Sequence, residues 1–85
     1  MKVIVEPISG DAQAYLERAK EELTRVLGFR GDVVNAKANG QRIILEIVIN
    51  PKWESDNKVS YLKEWIPAKT RRVFEVVSVS AGEHE

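Results

Sequence analysis

Three glutamates, Glu6, Glu46 and Glu75, each sit in a short stretch rich in Val and Ile, and carboxylates gathered in one place are what a hard cation such as Mg²⁺ or Ca²⁺ requires. Their setting argues against a metal. They come singly from three distant stretches, no acidic ligand loop of the EF-hand kind accompanies them, and ion-paired surface glutamates are the plainer explanation. The one histidine, His84, lies in Gly82-Glu83-His84-Glu85, where a general base or metal ligand would lack fixed geometry. With no cysteine and no G-x-S-x-G elbow, the nucleophile and base arrangements of covalent catalysis are missing. The expectation is a chain that is not an enzyme and holds neither cofactor nor metal.

Gly28-Phe29-Arg30-Gly31 has the glycines of a phosphate loop, but it follows a helical stretch, whereas a phosphate cradle needs amides at a helix N-terminus. It reads as a helix stop and turn. Ser9-Gly10-Asp11 does precede a helical stretch, yet Asp11 opposes an anion and helix capping accounts for these residues. Lys69, Arg71 and Arg72 differ: residues 58–72 hold five cations against Glu64 alone, and Lys69-Thr70-Arg71-Arg72 follows Pro67 in what reads as a loop able to touch phosphates. Trp53, between Lys52 and Glu54, is the remaining odd residue. Exposed, it suits a partner contact; more commonly such a tryptophan folds back onto its own domain.

Something must position these residues, and 85 residues suffice for one core but not two. Residues 1–85 are expected to form a single domain, with 81–85 a frayed tail. Without cysteine, hydrophobic packing must hold the chain and a reducing cytoplasm is the default location. Lys plus Arg and Asp plus Glu balance at 13 each, so no overall field draws the domain to nucleic acid or an anionic membrane. No apolar run approaches the roughly 20 residues of a membrane span, and Glu6-Pro7 interrupts the apolar start too early for a signal peptide. A soluble chain with no membrane partner is expected.

The β-branched residues 2–8 predict a first strand ending near Pro7. Apolar residues at 12, 15, 16, 19, 23, 26 and 27 then mark one face of a helix from Asp11 to Leu27. Ser9 or Asp11 would cap it, Gly28 would stop it, and Arg18 with Glu22 and Glu21 with Arg25 would pair on its wet side. Strands over 32–38 and 41–49 flank Asn39-Gly40, a two-residue type I′ hairpin signal. Val59, Leu62, Trp65 and Ile66 predict a second helix over 55–66, capped by Ser55 and stopped by Pro67; a start at Asn50-Pro51 is the alternative. Residues 72–80 form the last strand, where a bulge near Val76-Val77 would exchange its two faces.

The order βαββαβ predicts an α+β, ferredoxin-like two-layer sandwich, with an antiparallel sheet ordered 4-1-3-2 and both helices on one face. The other face is then bare. If Val3, Val5, Val34, Ala36, Ile43, Leu45, Ile47, Ile49, Phe74 and Val76 point to the helices, alternation gives the open face Lys2, Ile4, Glu6, Ile8, Val33, Asn35, Lys37, Arg42, Ile44, Glu46, Val48, Val73, Glu75 and Val77. Neither central strand carries an aromatic residue, against RNA binding of the RRM type, and no GxxG loop joins two helices, against a KH domain.

The leading expectation is therefore a small non-enzymatic interaction or assembly domain. It would form a homodimer or dock on a protein partner through Ile4, Glu6, Ile44, Glu46, Val48 and Trp53, since bare apolar patches tend to be covered. The plainer alternative is a solvated face whose glutamates pair with Lys2, Arg42 and Lys37. Weak nucleic-acid binding through Lys69, Arg71 and Arg72 is a further alternative. So is a designed sequence without biological activity, suggested by tidy caps and balanced charge but opposed by the irregular Trp53 segment and the serines alternating in the last strand.

Overall fold

A computed structural model of the chain describes residues 1–53 and 58–80. The elements run β1 (Lys2–Pro7), α1 (Leu16–Leu27), a 3₁₀ turn (Gly28–Arg30), β2 (Gly31–Asn39), β3 (Arg42–Ile49), α2 (Lys58–Lys69) and β4 (Phe74–Ser80). The strands form one antiparallel sheet in the order β2-β3-β1-β4, the expected order read from its other edge. The fold is an α+β sandwich of the ferredoxin-like kind. Val3 and Val5 of β1, Ile43, Leu45 and Ile47 of β3 and Phe74 of β4 join Ala19, Leu23, Val26 and Leu27 of α1 and Leu62 and Ile66 of α2 in one buried cluster. Every other residue of the two central strands therefore faces away from the helices.

Helix α1 starts later than the apolar spacing predicts, although all seven stripe residues do pack in or against the core. Asp11 caps a tight turn instead: its carboxylate accepts the Gln13 amide and its carbonyl accepts those of Ala14 and Tyr15. The buried Ala12 anchors this turn, and Tyr15 sets its ring edge-on to Phe74 at 5.9 Å. The Arg18–Glu22 pair forms, but Arg25 reaches Glu22 rather than Glu21. Gly28 has positive φ (58°) as a helix stop should, and its amide closes on the Thr24 carbonyl.

The hairpin turn is displaced by one residue from the expected one. Asn39 pairs with Arg42, so the two loop residues are Gly40 and Gln41. Only Gly40 has positive φ (64°), which is the sign pattern of a II′ turn, with glycine in its first central position, rather than I′. The Gln41 amide group donates to the Gly10 carbonyl at 2.7 Å and ties this turn to the loop after β1.

Pro67 does not stop α2, which continues to Lys69. Proline removes its own N–H but leaves the later amides free to close the last turn: Thr70 bonds the Ile66 carbonyl through its amide and, at 2.6 Å, through its buried hydroxyl. Arg71 and Arg72 then take positive φ (55° and 60°), and the Arg72 amide reaches the Pro67 carbonyl. Two left-handed residues turn the chain sharply, so β4 begins at Phe74 and not at Arg72. Ser55, the expected cap, lies outside the described residues. So does residue His84.

Two bulges adjust the sheet. In β4, Val5 opposes Val76 while Ile4 opposes Ser78, leaving Val77 as an extra residue; the core side passes from Phe74 and Val76 to Val79, as a bulge there was expected to do. In β2, Val33 opposes Ile47 while Asn35 opposes Glu46. This second bulge was not legible. It turns Val33, expected on the open face, onto the core and leaves Val34, expected in the core, 59% exposed.

Candidate functional site

The open face is built by period-two alternation, and the strand registers lay its residues out in three rows across the sheet. The first runs Asn35, Glu46, Lys2, Ser80; the second Lys37, Ile44, Ile4, Ser78. The third is Asn39, Arg42, Glu6, Glu75, in which the Arg42 Nε donates to Glu6 Oε2 at 3.4 Å. Ile4 and Ile44, opposite one another, form a half-buried apolar centre. Val48 and Ile8 lie beyond the rows at opposite ends of β3 and β1, and they are among the most exposed large apolar residues described (57% and 59%).

The three glutamates do not gather. Glu46 stands across from Lys2, two rows away from Glu6, while Glu6 and Glu75 oppose each other with Arg42 on the far side of Glu6. Among the described residues no three acidic or histidine side chains come together as a metal site would need.

Trp53 belongs elsewhere. Expected to share the interface with Ile4 and Ile44, it packs edge-on against Tyr61 of α2 (5.1 Å between centroids), in the helical layer. Tyr61 in turn stacks on Trp65 at 4.5 Å, the i, i+4 spacing of one helix face. The Arg30 guanidinium lies 4.8 Å from the Phe29 ring centroid, 5.1 Å from Tyr61 and 5.7 Å from Trp65; the Lys69 ammonium sits 4.6 Å from Trp65. Asn50 fastens the loop between α1 and β2 by donating its side-chain amide to the Phe29 carbonyl and its backbone amide to that of Arg30. Arg25 of α1 donates to the Lys69 carbonyl at the end of α2. Phe29 remains 68% exposed, and the Tyr61 hydroxyl is buried with no hydrogen-bond partner among the described residues.

This cation and aromatic cluster was missed by sequence reasoning, which took Phe29 and Arg30 for a plain turn. The i, i+4 spacing of Tyr61, Trp65 and Lys69 is the one signal in the sequence that could have found part of it. Of the expected basic loop, Lys69 ends α2 and joins the cluster, whereas Arg71 and Arg72 are exposed in the turn beyond it.

No helix among the described residues is long and apolar enough to cross a membrane. The chain matches no protein-family model, no curated protein and no solved structure.

Proposed function

We propose that this chain is a non-enzymatic assembly domain that self-associates through the open face of its sheet. The carrying observation is the apolar pair Ile4 and Ile44 at the centre of the uncovered face, bordered by the Arg42–Glu6 ion pair on one side and by Lys2 opposite Glu46 on the other. An apolar centre inside a polar ring is how protein interfaces are built, because the ring excludes water from the centre. The long dimensions of the molecule, 35 and 27 Å, span a face of the order of the ~800 Å² that each partner of a stable complex contributes. Sedimentation equilibrium from micromolar to millimolar concentration tests this. A mass rising toward twice 9.6 kDa supports it, and a constant single-chain mass removes it.

A second reading is favoured by the Lys69 ammonium over Trp65: contact with single-stranded nucleic acid, bases stacking on Phe29 and phosphates meeting Lys69, Arg71 and Arg72. Quenching of tryptophan fluorescence by oligothymidylate, weakening with salt and lost in the Arg71→Glu, Arg72→Glu double variant, is its expected signature. Absence of quenching at low salt eliminates it.

A further inference from the structure

We propose that the open face takes a second copy of this chain in one particular orientation, with the two-fold axis parallel to the strands and β1 of each copy lying over β3 of the other. This rests on the self-association proposed above. Four charges surround the Ile4 and Ile44 pair at the corners of a rectangle about 4.8 Å by 13 Å. Lys2 and Glu46 occupy one short side, Glu6 and Arg42 the other. Along each strand and across each row the sign alternates, so Lys2 is diagonal to Arg42 and Glu46 is diagonal to Glu6.

Two sheets related by a two-fold axis meet face to face only if that axis lies in the interface plane, and each residue i then faces a residue j that faces i in return. With the axis parallel to the strands and passing between β1 and β3, Lys2 of one copy faces Glu46 of the other, Glu6 faces Arg42 and Ile4 faces Ile44. All four charges meet their opposites. On the outer strands Lys37 faces Ser78, Asn35 faces Ser80 and Asn39 faces Glu75, so no like charges meet. An axis perpendicular to the strands also opposes unlike charges at the four corners, but it sets Lys37 against Lys37. With the axis parallel to them, the strands of the two copies lie close to the aligned packing of stacked sheets, near −30°.

Complementary charges fix register and suppress wrong pairings more than they add raw affinity, so the test is one of pairing. Lys2→Glu alone puts Glu against Glu46 of the other copy, and Glu46→Lys alone puts Lys against Lys2. Each variant alone should associate at least about tenfold more weakly than the parent chain. A one-to-one mixture restores both contacts, because Glu at position 2 of one chain then meets Lys at position 46 of the other and the unchanged Glu46 meets the unchanged Lys2. The perpendicular axis predicts no such rescue, since position 2 would face Glu6. The experiment is sedimentation equilibrium of the parent, each variant and the mixture, with circular dichroism to confirm that each chain folds. Glu6→Lys with Arg42→Glu is an independent second pair, used if either first variant is unfolded.

Association of the parent, weakening of both single variants and recovery on mixing are the expected results. A parent that associates while its variants are not weakened, or are weakened and not rescued by mixing, overturns this orientation and leaves self-association standing. A parent that stays monomeric overturns both.

Discussion

The open face of the sheet and the aromatic end of the helical layer are both mixtures of apolar and charged side chains, built by opposite means. On the open face, opposite charges face each other across strand registers around Ile4 and Ile44, and Arg42 and Glu6 form an ion pair. At the helical end, Arg30 and Lys69 are laid over the rings of Phe29, Tyr61 and Trp65. The first region leaves its apolar centre uncovered. The second lays its cations over its own rings, although Phe29 stays exposed. The same ingredients thus leave an apolar centre uncovered in one place and set cations over rings in the other.

That contrast breaks if the two regions respond alike to substitution. Trp65→Ala should have the largest effect on the fold, removing a ring packed against the core at a cost of about 3 kcal/mol. Denaturant unfolding measures it, and the folded fraction should associate as before. Ile44→Lys should do the reverse, weakening association by about thirtyfold, or ~2 kcal/mol, with a smaller change in unfolding. A variant at Ile44 that destabilises as much as Trp65→Ala would place Ile44 in the core and dissolve the distinction. Arg30→Gln should cost about 0.5–1 kcal/mol of stability through lost cation–ring contact, with no change in association. The smallest effect sharpens the comparison. Raising NaCl tenfold from low ionic strength should weaken association only a few-fold, since the exposed charges are screened while the Ile4 and Ile44 burial is not. Unfolding midpoints of the dilute monomer should shift less.

The difference also explains what could be read from the residues alone. Alternation in β1 and β3 has period two and no interruption, so the burial of Val3, Val5, Ile43 and Leu45 and the outward phase of Ile4, Glu6, Ile44 and Glu46 follow directly from order in the chain. The Val76-Val77 bulge was legible because Val and Ser alternate out of phase after it. The Val34 bulge was not, because Val33 and Val34 offer the core equal side chains and only pairing with Ile47 chooses between them. Pro67 misled about the end of α2 because one missing amide does not prevent the Thr70 amide and hydroxyl from closing the turn. The aromatic cluster joins Phe29, Arg30, Trp53 and Trp65, which meet only after α2 has docked beside α1. Local spacing carries the Tyr61, Trp65, Lys69 part and nothing of the rest.

The most direct test of the open face as the associating surface is a dilution series followed by ¹H–¹⁵N correlation spectra of the uniformly labelled chain. Concentration-dependent shifts should fall on the amides of Lys2, Ile4, Glu6, Arg42, Ile44 and Glu46 and leave those of Phe29, Arg30, Tyr61 and Trp65 unmoved. Shifts confined to the aromatic end, or spectra unchanged from micromolar to millimolar concentration, would contradict the account.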